Sequence, residues 1–232
     1  MIGFLILLFL PPPFSSAAPL VSMDSLLERP MSVRVREFRK LEHTGVKFLE
    51  QVAFDRTASL QTRWRAVTTM GRLDPLAFRP ALDKALNSSE WFMRNSALIA
   101  LLMDERSRAV AWSMRALDDK ALVVRTQAVN NLRELGAREA EPLLWAQISA
   151  PHNFRGKESL WIREHIARAL ASLASPGRVK SFQRLLVDED ERLHRWAVVG
   201  LENLTGYKLS SEGEPVETSR RKWLARLGVS EI

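Results

Sequence analysis

The chain has 232 residues, of which 46% are hydrophobic and 26% are charged, and its formal net charge is +7. This composition excludes a disordered, collagen-like or low-complexity protein and indicates one globular domain with a sizeable core. Because there is no cysteine, disulfides, thiolate metal sites and cysteine nucleophiles are excluded as well.

The first 18 residues have the pattern of a secretion signal. An apolar run from Ile2 to Leu10 is followed by three prolines and by small residues, with cleavage expected after Ala17 or Ala18. The run is too short to span a bilayer. We therefore expect residues 1–18 to be a cleaved signal peptide and the protein to be periplasmic or secreted.

An alternative remains open because no lysine or arginine precedes the apolar run. If the start codon is misassigned and translation begins at Met23 or Met31, the protein is cytoplasmic. Residues 24–56, which include the basic run 33–40, are expected to form one or two capping helices ahead of a repeat array.

A repeat with a period of 31 residues occupies residues 57–206. Its anchor positions are separated by 31, 31, 38 and 31 residues. Alanine or isoleucine stands three residues after every anchor, and leucine or methionine stands seven after it. The anchors are Arg63, Arg94, Arg125, Arg163 and His194.

The apolar columns around each anchor fall on one face of a helix, which predicts that this helix packs against neighbours. The segments that precede the anchor helices repeat as well, so the unit is a hairpin of two helices. A single hairpin cannot bury its apolar face, and the hairpins must therefore stack.

Each anchor arginine lies within the apolar stripe, where an unpaired charge is costly. We expect each to bind a carboxylate or carbonyl, such as the residue at the capping position of an adjacent repeat. Six residues before the anchors, four of five residues could cap the second helix by accepting a backbone N–H. This column reads Thr57, Ser88, Asp119, Lys157 and Asp188.

The longer spacing between the third and fourth anchors places extra residues in segment 150–158. Insertions in solenoids form loops at one edge, and such loops often bind partners. His152, Phe154 and Arg155 are candidate contact residues, and an insertion without a role is an equally open alternative. Residues 207–232 are expected to form a polar loop and a last capping helix.

The sequence Asp119 to Gly136 resembles the HEAT family and the phycobilisome-lyase-type HEAT-like family, in which an aspartate and a Val-Arg pair recur in each repeat. This resemblance implies an all-α fold, a right-handed α-solenoid of the armadillo type with about five helical hairpins and capping helices at both ends. It also implies that the recurring aspartates and arginines form stabilising ladders between repeats. The fold serves many unrelated functions.

Residues typical of catalysis are scarce. The chain has four histidines, no H-x-x-x-H spacing, no phosphate-binding loop and no nucleophile elbow. We therefore predict no catalytic residue, no metal site and no cofactor, and favour a binding function.

If the second helices line the concave surface, its exposed positions are two, five and nine residues after each anchor. This row mixes basic, polar and apolar residues, whereas a DNA groove would show lysine or arginine in most repeats. The row reads Arg65, Thr68, Arg72, Ser96, Ile99, Met103, Gln127, Asn130, Glu134, His165, Arg168, Ser172, Trp196, Val199 and Asn203.

Such a composition favours a protein or peptide partner, since arginine, methionine and aromatic residues anchor protein interfaces. The predicted function is a non-enzymatic scaffold for protein interactions in the cell envelope or outside the cell. The predicted binding residues are Arg65, Arg72, Met103, Asn130, Glu134, His165, Arg168 and Trp196.

Three alternatives stay open. HEAT-like proteins of similar length include alkylpurine DNA glycosylases, and a cytosolic nucleic-acid-binding protein of that type is the main one. A bilin lyase would share the repeat type, although no chromophore pocket is indicated. A spacer without a specific partner is the third.

Overall fold

A computed structural model describes residues 22–229, so the predicted signal peptide, residues 1–18, lies outside the described residues. Within this part of the chain the fold is all-α except for one short hairpin. The helices are α1 Met23–Leu27, α2 Met31–Lys40, α3 Glu42–Phe54, α4 Leu60–Leu73, α5 Arg79–Leu86, α6 Trp91–Leu101, α7 Arg106–Ala116, α8 Leu122–Glu134, α9 Glu141–Ile148, α10 Ile162–Leu173, α11 Val179–Leu186, α12 His194–Thr205 and α13 Val216–Leu227.

Five helical hairpins form a two-layered stack, and the predicted all-α solenoid is confirmed. The second helices α4, α6, α8, α10 and α12 each pack against the next, while α3, α5, α7, α9 and α11 pack on the second helix of their own hairpin. First helices of neighbouring hairpins make far fewer contacts with one another. The second helices therefore form the more tightly packed layer, which we call the inner layer.

The second helices approach closely where a side chain is absent. A Cβ atom built on Gly71 of α4 would lie 2.4 Å from the Cβ of Ala100 in α6. Glycine is therefore required for the separation between these two helices, because any side chain would push them apart.

Helices cover both ends of the stack. At the N-terminal end α1 and α2 pack on α4, and at the C-terminal end α13 packs on α11 and α12. Helix α3 packs on α4 as the first helices of the later hairpins pack on theirs. The predicted start of the repeat array, residue 57, therefore falls between α3 and α4, the two helices of the first hairpin.

The anchor arginines connect successive repeats. Arg94 donates from Nε and Nη2 to both carboxylate oxygens of Asp119 in the next repeat, at 2.6 and 2.7 Å. Its Nη1 donates to the carbonyls of Ser88 and Ser89, at 2.9 and 3.0 Å, just beyond the end of α5. The expected partner at the capping position of the adjacent repeat is thus confirmed for this arginine.

Two further anchors make the same connection through other atoms of the guanidinium, with both Nη atoms on the carboxylate and Nε on the carbonyl. Arg63 binds Glu90 at 2.8 and 2.5 Å and the Ala53 carbonyl at 3.1 Å. Arg163 binds Asp188 at 3.1 and 2.7 Å and the Ile148 carbonyl at 2.8 Å. Each guanidinium thereby joins the C-terminal carbonyls of its own first helix to a carboxylate of the next repeat, and a cation is favourable at a helix C-terminus.

The prediction that this column caps the second helices is wrong. Asp119 Oδ1 accepts the backbone N–H of Ala121 at 2.8 Å in a turn that precedes α8. In the first repeat the N-cap of α4 is Ser59 rather than Thr57. The two carboxylates of this column, Asp119 and Asp188, lie outside the helices and pair with the arginine of the preceding repeat.

The inserted segment replaces the carboxylate that Arg125 lacks. It forms a helical turn, Pro151–Asn153, followed by strands β1 Phe154–Arg155 and β2 Glu158–Ser159. Arg125 Nε donates to Asn153 Oδ1 at 3.1 Å, and its Nη2 donates to the His152 carbonyl at 2.7 Å. Since the Asn153 side chain is fully buried, the insertion fills the interface between the third and fourth repeats.

Replacing Asp119 by alanine is expected to destabilise the protein by about 3 kcal/mol, since it leaves a buried guanidinium without its carboxylate. Urea denaturation measures the change. The matched control is Glu139→Ala, which breaks the exposed pair between Arg106 and Glu139 and should leave the urea midpoint nearly unchanged. Equal shifts for the two variants would contradict a structural role for the anchor ladder.

The ion pair between Arg94 and Asp119 makes the stability of the protein depend on pH. Burial raises the pKa of Asp119, but the hydrogen bonds from Arg94 and from the backbone of Ala121 outweigh it and hold the pKa below the ordinary 3.8. A depressed carboxyl pKa stabilises the fold above the unfolded-state pKa, and this stabilisation is lost as the pH falls through the folded-state pKa. The stability difference between wild type and Asp119→Ala should therefore shrink below about pH 4.

Candidate binding surface on the second-helix layer

The predicted concave row is not exposed along its whole length. Thr68 and Ser96 are only 1% and 0% exposed, so the prediction that every position faces solvent is wrong at these two. Helix α2 packs on α4, and the hydroxyl of Ser96 turns back to the carbonyl of Met93 at 2.8 Å. The N-terminal part of the row is therefore closed at these two positions, whereas Arg72 and Met103 are exposed.

Three predicted binding residues near this end already have partners. Arg65 forms an ion pair with Glu28, which follows α1. Arg72 donates to Met103 Sδ at 3.3 Å across one repeat. A partner that used Arg65 would have to displace Glu28.

The C-terminal part of the row brings four predicted residues close to one another. Asn130 Oδ1 on α8 lies 3.0 Å from Nδ1 of His165 on α10. The guanidinium of Arg168 lies over the ring of Trp196 on α12, 5.4 Å from its centroid. The row therefore converges across α8, α10 and α12.

Neighbouring residues complete this surface. Trp161 packs edge-on against His165 with ring centroids 5.4 Å apart. Arg195 lies over Trp196 at 5.6 Å, and the indole of Trp196 donates to Glu164 Oε1 at 3.4 Å. We call this surface the tryptophan patch, and its residues are Asn130, Arg133, Trp161, Glu164, His165, Arg168, Arg195 and Trp196.

The tryptophan patch is positively charged. Within residues 22–229 the guanidinium groups of Arg133, Arg168 and Arg195 form no ion pair or hydrogen bond, and the patch has one carboxylate, Glu164. Unpaired guanidiniums beside aromatic rings suit the recognition of a carboxylate or phosphate.

The surroundings of His165 favour its neutral form. Burial lowers its pKa below the ordinary 6.5, Arg168 and Arg133 lower it further, and Glu164 opposes them. Because the amide oxygen of Asn130 accepts a hydrogen bond, the neutral ring donates from Nδ1 and leaves Nε2 as an acceptor.

The remaining predicted residues lie outside the tryptophan patch. Glu134 is exposed at the end of α8. In the inserted loop, the ring of His152 contacts Gln147 Oε1 at 2.8 Å, and Arg163 lies over the ring of Phe154 at 4.7 Å. Arg155 is exposed. The binding role of this loop stays a prediction, and its observed contacts support the repeat stack.

Sequence reasoning missed Trp161, Arg133 and Arg195. Trp161 stands two residues before its anchor, a position that lies on the same helix face as the columns five and nine residues after it. Including this column would have found Trp161 from the sequence. Arg133 and Arg195 lie at the border of that face, and only the packing of the helices shows that they reach the surface.

The described residues contain no group of three histidine, aspartate or glutamate side chains arranged to hold a metal ion. None of the helices between residues 22 and 229 is long and apolar enough to cross a membrane.

Similarity to known proteins is limited to structure. No protein-family profile matches the chain, and no curated protein does. The crystal structure of an engineered protein is 17% identical, covers 79% of this chain and 87% of its own, and has a TM-score of 0.50, which supports the fold alone. The complex of CpcE and CpcF of phycocyanin lyase from Nostoc sp. PCC7120 is 19% identical, with 86% and 82% covered, but its TM-score of 0.43 is too low to carry an argument.

The titration of His165, followed by NMR and assigned with a His165→Gln variant, should have a midpoint below 6.5 because burial and two arginines oppose protonation. Arg168→Ala should raise the midpoint. Neutral His165 stabilises the fold above the unfolded-state pKa, and this contribution is lost as the pH falls toward the folded-state pKa. A midpoint above 6.5 would contradict the positive character of the tryptophan patch.

Proposed function

We propose that this chain is a HEAT-like scaffold that binds a protein partner through the tryptophan patch. The observation that carries the proposal is the pair of unpaired guanidiniums, Arg168 and Arg195, over Trp196, with Trp161 packed on His165 in the same surface. Tryptophan and arginine are enriched among the residues that dominate binding at protein interfaces. Trp196 packs partly against the hydrophobic core, which holds it in place.

The chemistry of the tryptophan patch defines the partner. Arg168 and Arg195 already lie over Trp196, which limits their conformational freedom before binding and lowers the entropy cost of association. An acidic side chain can pair with either guanidinium, and an apolar or aromatic side chain can cover Trp161, which is 41% exposed. We therefore expect a protein segment that presents a carboxylate beside an apolar residue.

Binding of duplex DNA is the alternative. A duplex would need positive charge along most of the row to neutralise successive phosphates. Support for the protein partner comes from the opposite arrangement, because Arg65 and Arg72 are engaged within the chain while the unpaired arginines gather on α8, α10 and α12.

We propose a location in the cell envelope or outside the cell on the basis of residues 1–18. N-terminal sequencing of the mature protein tests this proposal, since a signal peptide predicts a new terminus near residue 18. An intact Met1 on cytosolic material would be incompatible with export.

Replacing Arg168 by glutamate and Trp196 by alanine is expected to abolish peptide binding. Peptides selected from a displayed random library on the wild type would be synthesised, and their affinities measured by fluorescence anisotropy. The double variant should bind at least about tenfold more weakly, which corresponds to the loss of one interface hot spot.

The matched control is Arg138→Glu with Leu143→Ala, which changes the charge equally at exposed positions beside and on α9. This control should bind the selected peptides as the wild type does. Equal weakening in both variants would place the site elsewhere. Submicromolar binding of a duplex oligonucleotide that weakens steeply with salt would overturn the protein partner in favour of DNA.

A further inference from the structure

A second surface lies along the edge where the two helices of each hairpin are joined. Clefts open on this edge between successive repeats, each beside an anchor arginine. The cleft between the first and second repeats has a volume of about 340 Å³. The cleft between the second and third repeats has a volume of about 380 Å³.

The two clefts share a wall and form one surface. Asn87, Ser88 and Ser89, which join α5 to α6, line both of them. We call this surface the double cleft. It lies across the stack from one repeat interface to the next, and none of its lining residues belongs to the tryptophan patch.

Each half of the double cleft combines an aromatic wall with exposed cations. In the first, the ammonium of Lys84 lies 4.0 Å from the ring centroid of Phe54, and Arg56 stands at the rim. In the second, the guanidinium of Arg115 lies 5.0 Å from the ring centroid of Trp112. Lys120 completes this half.

The carboxylates of the double cleft are already neutralised. Glu90 pairs with Arg63, and Asp119 pairs with Arg94. In contrast, the four cations at the rim are exposed and form no ion pair or hydrogen bond with any residue from 22 to 229. These cations are Arg56, Lys84, Arg115 and Lys120, and they leave an uncompensated positive charge over two adjacent cavities.

Helix stability explains only part of this arrangement. Lys84 and Arg115 occupy the same repeat position, in the last turns of α5 and α7, where a cation is favourable. That effect requires neither the second cation of each half nor the aromatic walls. Arg56 and Lys120 lie beyond the helix ends.

The later repeat interfaces differ from the double cleft. Asn153 of the insertion fills the interface between the third and fourth repeats, where it binds Arg125. The larger cleft between the fourth and fifth repeats is lined by five acidic and four basic side chains. A further cleft beside α11 is lined by three arginines, of which Arg163 and Arg178 pair with Asp188 and Glu141. The double cleft therefore has a larger excess of unpaired cations than these later clefts.

We propose that the double cleft binds an extended acidic segment of a partner protein. The second helices of successive repeats pack on each other, roughly 8–10 Å apart, and the first helices that carry Lys84 and Arg115 make fewer contacts and lie farther apart. An extended chain rises about 3.3 Å per residue, and its alternate side chains share one face. Carboxylates four residues apart, at about 13 Å on one face, therefore span the two halves. One carboxylate pairs with Lys84 and Arg56, and the next pairs with Arg115 and Lys120. This proposal is independent of the tryptophan patch.

The test measures binding of a fluorescein-labelled hexaglutamate peptide by fluorescence anisotropy, with hexaglutamine as the neutral probe. Lys84→Gln with Arg115→Gln should weaken hexaglutamate binding at least about tenfold. The matched control, Lys157→Gln with Arg184→Gln, removes the same charge beside the acidic cleft and should weaken binding less than about twofold. Thermal unfolding of each variant checks that the fold is retained.

Four results would overturn the proposal. Equal weakening in both double variants would show a response to net charge alone. An absence of saturable wild-type binding up to millimolar peptide would show that no such site exists. Weaker hexaglutamate binding in Arg168→Glu with Trp196→Ala would move the site to the tryptophan patch. Tighter binding of a single-stranded oligonucleotide with the same sensitivity to Lys84 and Arg115 would assign the surface to nucleic acid.

Discussion

The structure depends on a buried guanidinium that recurs in nearly every repeat. An arginine such as Arg94 is costly in an apolar interface unless all of its donors are satisfied. Its acceptors come from two places, the carbonyls just beyond the end of its own first helix and the carboxylate of the next repeat. If two repeats moved apart, the guanidinium and the carboxylate would each lose the partner that satisfies them. The ladder therefore fixes the order and spacing of the hairpins.

This constraint also determines where function can lie. Side chains of the ladder are committed to stability, and the ladder is retained even where the repeat changes, since Asn153 and the His152 carbonyl replace the missing carboxylate at Arg125. Exposed positions on the inner layer and at the hairpin edge are free to vary. The tryptophan patch and the double cleft both carry exposed arginines or lysines that form no ion pair within residues 22–229.

The sequence contains the period, the buried helix faces and the need of each anchor arginine for a partner in an adjacent repeat, because these follow from local spacing and the cost of buried charge. It does not show that α2 lies on α4, and the burial of Thr68 was therefore missed. The proximity of Asn130, His165 and Trp196 could be predicted from the sequence, because all three belong to one row. Whether Arg133 and Arg195 reach the tryptophan patch depends on the rotation of each helix relative to its neighbours. The sequence of a single repeat does not determine this rotation.

A double-mutant cycle on Arg163 and Asp188, with Arg163→Met and Asp188→Asn, tests the role of the ladder most directly. These side chains are about 6% and 22% exposed and lie 2.7 Å apart. Urea denaturation of the wild type, both single variants and the double variant gives their coupling energy. The account predicts about 2 kcal/mol, within the range of contacting residues in one network. A coupling below about 0.5 kcal/mol, as found for exposed ion pairs, would contradict it.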